Sequence, residues 1–173
     1  MPALVITAVG PDRPGIVGEL TFHLHEGGAN ILDSRMVNLR GQFALLLLLE
    51  APADALGAIR TRLPAVASSM GLSLHVAEQS APGARREGLP YKLKTYSMDR
   101  PGLVHRVSDL LRRHDVNIEE LSTRQESGAF MGSSLFVMEA RLTLPTTLSA
   151  RQLRHELDVL CEALNCDVDL DPA

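Results

Sequence analysis

The string Asp12-Arg13-Pro14-Gly15-Ile16-Val17 occurs a second time, as Asp99-Arg100-Pro101-Gly102-Leu103-Val104, and this repetition constrains the fold more than any other feature of the chain. The copies lie 87 residues apart, and so do Asn30-Ile31 and Asn117-Ile118. Neither copy needs a gap between its two landmarks. Two matches in one register, with a shared apolar pattern between them, mark an internal duplication. The 173 residues therefore divide into two units, each of roughly 80 residues. Units so small bury a modest core, so the copies are expected to lean on each other or on a second chain. The expected bounds are residues 1–79 and 91–173. Residues 80–90, with two prolines, two glycines and three charges, read as the linker.

The apolar period changes in the same order in both halves. In the first, Ala3 to Val9 is a short β-branched run ended by Gly10-Pro11, a strand and then a loop. Ile16, Val17, Leu20 and Leu24 then fall on one helical face, which Gly27-Gly28 closes. Pro14 suits a first helical turn, where its missing N–H costs nothing. Ile31 to Leu39 reads as a strand, Gly41-Gln42 as a tight turn, and the continuously apolar Phe43 to Leu49 as a central strand or one covered on both faces. A second helix follows Pro52, with Leu56, Ile59, Leu63, Val66 and Met70 at helical spacing and a kink or break expected at Pro64. Leu72 to Ala77 alternates as a last strand.

The second half repeats the pattern. Its strands are Tyr91 to Met98, Ile118 to Gln125, Ser134 to Leu144 and Asp167 to Leu170. Its helices carry Leu103, Val104, Val107, Leu110 and Leu111, then Leu153, Leu157, Leu160 and Leu164. Ser149 and Gln152 have the spacing of a capping box. The middle hairpin is longer here, Glu126 to Ser133, with Phe130 and Met131 at its tip. A βαββαβ order predicts an α+β fold of two tandem ferredoxin-like units, each a four-stranded antiparallel sheet with both helices on one face.

Charge and composition exclude several functions. Net charge is −4 and no basic run exceeds Arg85-Arg86, so no electrostatic footprint for DNA is expected. Aromatic residues make up 3% and Trp is absent, which removes base-stacking platforms. Cys161 and Cys166 cannot complete a zinc site alone, and His23 and His25, two apart on a helix, point to different faces. The two thiols read as reduced and half-buried. No P-loop, His-Glu-x-x-His or Gly-x-Ser-x-Gly string occurs, so catalysis is not expected and no cofactor is called for. The longest apolar run, Phe43 to Leu49, cannot span a bilayer, and the first residues lack a signal-peptide pattern. A cytoplasmic protein is expected.

Asp-Arg-Pro-Gly-[Ile/Leu]-Val at a strand-to-helix turn, followed by Asn-Ile opening the next strand, resembles the ACT domain, a small amino-acid-sensing regulatory module. Two ACT-like copies would cover all but the linker. More narrowly, Ile6 to Val17 with Asn30 to Arg35, and Ser134 to Ala140, are similar to the tandem ACT group of glycine cleavage repressors. The resemblance implies a binding module that holds a free amino acid, glycine or a similar one, between paired ACT domains. It also implies regulation through a protein partner such as a transcriptional activator, and a possible homodimer. In such pairing Asp12 and Gly15 would lie near Asn117, and Asp99 and Gly102 near Asn30.

The motif also has a physical reading of its own. A helix N-terminus has unpaired N–H groups and a positive dipole end suited to a carboxylate. Gly15, Ile16 and Val17 supply such donors in the first copy, and Gly102 and Leu103 in the second. The ammonium of an amino acid wants an acceptor, which Asp12 or Asn30, and likewise Asp99 or Asn117, could supply. The same residues also serve plain turns and caps. The copies differ at Gly18, matched by His105, which either crowds a pocket that Gly18 leaves open, donates to it, or simply faces solvent. Three readings follow: a glycine-responsive regulator acting through a partner, a regulator of a different amino-acid pathway, or an accessory ACT module without a ligand.

Overall fold

The structure is a computed structural model that describes residues 2–79, 87–98, 101–127 and 134–173. The chain splits into two compact units, Met1–Gly83 and Ala84–Ala173. The first contains β1 (Ala3–Pro11), α1 (Ile16–Glu26), β2 (Asn30–Leu39), β3 (Gln42–Glu50), α2 (Ala53–Ser69) and β4 (Ser73–Glu78). The second contains β5 (Gly88–Met98), α3 (Leu103–Arg113), β6 (Asn117–Ser127), β7 (Ser134–Pro145), α4 (Ala150–Leu164) and β8 (Cys166–Pro172). Both sheets are antiparallel, in the orders β2-β3-β1-β4 and β6-β7-β5-β8. This is the expected pair of ferredoxin-like α+β units.

Strand alternation decides where the first core lies. Leu4, Ile6 and Ala8 of β1 and Phe43, Leu45, Leu47 and Leu49 of β3 point to one face. There they meet Ile16, Leu20 and Leu24 of α1 and Leu56, Ile59, Leu63 and Ala67 of α2. Among the described residues of this unit the opposite face carries no helix, so β3 is central but covered by helices on one side only, and Leu46 is 45% exposed. The second unit buries Leu93, Met138, Ala140, Leu142 and Leu144 beneath Leu103, Val107, Leu110, Leu111, Leu153 and Leu157.

Several local expectations change. Helix α2 runs unbroken through Pro64. The donor that Pro64 lacks is lost on an exposed side of the helix, while the buried stripe on the other side holds the helix together. The β2–β3 turn is Arg40-Gly41, with φ of 52° and 86°, and Gln42 already belongs to β3. Two consecutive positive φ values match the twist that a two-residue hairpin needs. Strand β5 begins at Gly88, inside the stretch read as linker. A side chain at Gly88 would lie 2.3 Å from the Leu144 carbonyl oxygen, and glycine's bare Cα lets the strand pair that closely. The tip residues Phe130 and Met131 lie outside the described residues.

Ser149 is the N-cap of α4 but makes no side-chain capping bond, and the Gln152 amide turns instead to Glu156 Oε1, 3.1 Å away. The capping box is not formed. Ser149→Ala should therefore change stability by less than the ~1 kcal/mol usual for a lost cap. Urea denaturation checks this, and a full 1 kcal/mol loss would show that the hydroxyl caps in solution.

The helix-free faces of the two sheets have diverged in kind. Thr7, Val9, Leu46 and Val37 of the first unit correspond in register to Lys94, Tyr96, Glu139 and Arg124 of the second. Glu139 receives Lys94 at 2.9 Å and Arg124 at 3.1 Å, and Lys94 lies over the Tyr96 ring. Hydrogen bonding from Arg124, then from Lys94, holds the Glu139 carboxyl down to about 2, against 4.5 for an ordinary glutamate. A depressed carboxyl stabilises the fold above its unfolded pKa, and that contribution is lost as pH falls through the folded value. Glu139→Gln should thus be less stable than the parent at neutral pH, with the gap closing between pH 4.5 and about 2. Parallel melts across that window measure it, and a pH-independent gap would mean that packing, not charge, is what was lost.

Candidate functional site

The duplicated motif forms the same local structure in both units. Gly15 and Gly102 are the N-caps of α1 and α3, with φ of 92° and 99°. Only glycine adopts such values readily, which explains its place in both copies. Ile16 and Leu103 open the helices and bury their side chains in the two cores, 1% and 4% exposed, so they anchor the turn and offer only their backbone N–H groups outward.

Arg13 grips Glu19 across the first turn of α1, with its two terminal nitrogens 2.6 and 2.7 Å from the carboxylate oxygens. The guanidinium holds the Glu19 carboxyl below the usual carboxylate range. An acidic side chain in a first helical turn also complements the dipole, and that preference is the sequence signal by which this pair could have been found. The residue corresponding to Glu19 in the second unit is Arg106, so the second motif lacks this internal carboxylate.

Asp12 is exposed, and its carboxylate accepts a hydrogen bond from the Asn38 amide. Its backbone N–H donates to the Gly41 carbonyl at 2.8 Å, and Asn38 Oδ1 accepts the Gly41 N–H at 3.0 Å. Asp12 thus ties the motif loop to the β2–β3 turn. Asp99 lies outside the described residues. Asn30 and Asn117 each open a strand. Asn30 Nδ2 donates to Glu50 Oε1 at 3.4 Å, and Asn117 Nδ2 to Glu119 Oε1 at 2.7 Å, where Thr143 Oγ1 also donates at 2.8 Å. Just after each asparagine the register shifts by one residue, between Ile31 and Asp33 and again between Ile118 and Glu120. The bulge recurs at the same place in both copies and re-aims the strand there.

Within the first unit, Asn30 and Ile31 share a groove of about 430 Å³ with Gly18, Thr21, Phe22 and His25 of α1. A Cβ added at Gly18 would meet nothing within 4 Å, so that side of the helix is open. Asp12 and Gly15 are not among the groove's lining residues. The structure therefore joins Asn30 to Gly18, and leaves Asp12 with Asn38. In the second unit the α3 positions matching Gly18, Phe22 and His25 are His105, Asp109 and Arg112, and Asp109 pairs with Arg112 at 2.9 Å. That face is charged where its counterpart is open.

The ACT domain family profile matches residues 3–77. Over 164 residues the chain is 30% identical to the glycine cleavage system transcriptional repressor of Escherichia coli K12, an alignment spanning 94% of this chain and 85% of that protein. The chain belongs to the glycine cleavage repressor family. A solved structure of an unknown protein from Galdieria sulphuraria aligns over 99% of this chain and 98% of its own, at 27% identity and a TM-score of 0.80. Another, assigned provisionally as a glycine cleavage system transcriptional repressor, covers 98% of this chain and 96% of its own, at 27% identity and a TM-score of 0.74. For this repressor-family chain, both halves of the duplication fall within the shared length.

Among the described residues, no group of three or more His, Cys, Asp or Glu side chains could hold a metal ion, and no helix is long and apolar enough to cross a membrane. The site's chemistry rests on backbone donors, amide groups and carboxylates. Groups of this kind can hold and orient a small polar molecule, and among the described residues of the site none is a nucleophile beside a base.

Proposed function

We propose that this chain is a cytoplasmic, amino-acid-responsive regulator that lowers transcription of glycine cleavage genes by binding a protein activator, without touching DNA itself. The observation that carries the reading is the 30% identity to a transcriptional repressor across both units, not across one shared module. The ligand class is a small amino acid, glycine or one close to it. Its carboxylate would take the N–H groups of Gly15 and Ile16, or of Gly102 and Leu103, and its ammonium an oxygen of Asp12 or Asn30, or of Asp99 or Asn117. The open Gly18 side of α1, beside Asn30, offers a second place in the first unit for such a molecule, apart from the Asp12–Gly15 loop.

Calorimetric titration of the full chain with a panel of amino acids tests the reading. Saturable binding of glycine or one small relative, with larger side chains rejected, is the expected result. Gel shifts at micromolar protein should show no salt-dependent DNA retardation. A second reading, an accessory ACT module without a ligand, draws on the engagement of Asp12 by Asn38 and of Arg13 by Glu19. Silence across the whole panel would favour it.

A further inference from the structure

All four helices end on a residue of positive φ: Gly28 after α1, Gly71 after α2, Asp115 after α3 and Asn165 after α4. In the α2 ending the Leu72 N–H returns to the Ala67 carbonyl at 2.8 Å and the Gly71 N–H to Ser68 at 3.0 Å. This is the Schellman arrangement, which brings the side chain just past the left-handed residue against the one five positions earlier. In α2 those two are the apolar pair Leu72 and Ala67. In α4 the matching positions are Cys161, buried, and Cys166, half-buried, on either side of the left-handed Asn165, whose N–H returns to the Cys161 and Glu162 carbonyls.

The surroundings have changed with them. Ser97 lies directly across the ladder from Cys166, with Thr95 two residues back on the same face of β5. Both are buried, at 5% and 0% exposure, and neither hydroxyl has a hydrogen-bond partner among the described residues. The matching positions of the first unit are Gly10 and Ala8. Four neighbouring positions that are apolar or bare in one copy thus hold two thiols and two unpartnered hydroxyls in the other. Buried hydroxyls without partners are uncommon, and a redox role is one of the few reasons they persist.

We propose that Cys161 and Cys166 form a reversible dithiol–disulfide site, oxidised by a hydroperoxide. Cys166 is the half-buried member and attacks first, while Cys161, fully buried, resolves. The Cys166 thiolate sulfur displaces water from hydrogen peroxide: the O–O bond breaks, an S–O bond forms, and the leaving hydroxide takes a proton. Cys161 sulfur then attacks Cys166 sulfur. The S–O bond breaks, the S–S bond forms, and the departing hydroxide leaves as water with the Cys161 proton. Two thiols lose two hydrogens in all, and one peroxide is reduced to two waters. Ser97 lies opposite Cys166 across the strands, and its unpartnered Oγ–H is free to turn toward the thiolate once that forms. Burial pushes both thiols up, so oxidation is slow at neutral pH and quickens as pH rises.

The full-length chain, fully reduced and freed of reductant, is treated with hydrogen peroxide while still folded and followed by intact mass. The expected product has lost two hydrogens, stays a single chain on a non-reducing gel, and reverts with dithiothreitol. Cys161→Ser should trap the sulfenic acid at Cys166 as a dimedone adduct, and Cys166→Ser should resist the same dose. Ser97→Ala should slow disulfide formation by roughly tenfold or more, the worth of one hydrogen bond to a charged acceptor. Oxidation only after unfolding, linkage between chains, or equal reactivity of the two single variants would each overturn the proposal. Circular dichroism confirms that each variant is folded before its reactivity is scored.

Discussion

Phe43→Ala is expected to cost the first unit about 3–5 kcal/mol, the range for removing a fully buried aromatic ring from a packed core. Phe43 is 0% exposed and stands in the central strand β3, directly opposite Gly10 of β1 and Asn38 of β2. Gly10 has no room for a side chain, since a Cβ there would lie 2.6 Å from the Gly71 carbonyl oxygen and 2.8 Å from a Leu72 methyl. The backbone beside the ring is thus already close-packed, and truncation leaves a cavity whose wall relaxes little. Natural domains are stable by only about 5–15 kcal/mol, so the loss should bring the unit to the edge of unfolding. Phe22→Ala is the control, because Phe22 is 58% exposed and should change stability by under about 0.5 kcal/mol. Urea unfolding of both variants decides. Equal midpoints would mean that the cavity closes, or that Phe43 does not carry the core.

The duplication made most of this architecture legible before any coordinates. Apolar period alone placed Ile16, Leu20 and Leu24 on one helical face, because side-chain direction along a helix is geometric. The failures share a cause. Pro64 and Ser149 fall under local rules that tertiary surroundings override: a buried stripe holds α2 through a proline, and Gln152 finds Glu156 instead of its cap. The site was only half legible. Positive φ at Gly15 and Gly102 follows from the motif, but no local rule reveals that Asp12 would meet Asn38, 26 residues on, or that both second strands would bulge. Those contacts exist only once the β2–β3 turn folds back against the motif loop.

Gly18→His places in the first unit the residue that the second unit carries at the matching position, His105. The helix should accept it. A Cβ at Gly18 meets nothing within 4 Å, so no backbone must move. Glycine is also the poorest ordinary helix former, so the exchange should add a few tenths of a kcal/mol to stability. Binding should behave in the opposite way. Gly18 is part of the wall of the groove of about 430 Å³ that Asn30 enters, and an imidazole there would take up the space beside the amide. If that groove receives the amino acid, affinity for glycine should fall tenfold or more, which is about 1.4 kcal/mol of binding free energy. Asn30→Ala should weaken binding by a comparable factor while disturbing only a 3.4 Å contact to Glu50. Calorimetry on the two variants beside thermal melts separates the cases. Lost affinity with an unchanged or raised melting temperature assigns the ligand to the first unit. Unchanged affinity in both would move the ligand away from this groove, to one of the two motif loops.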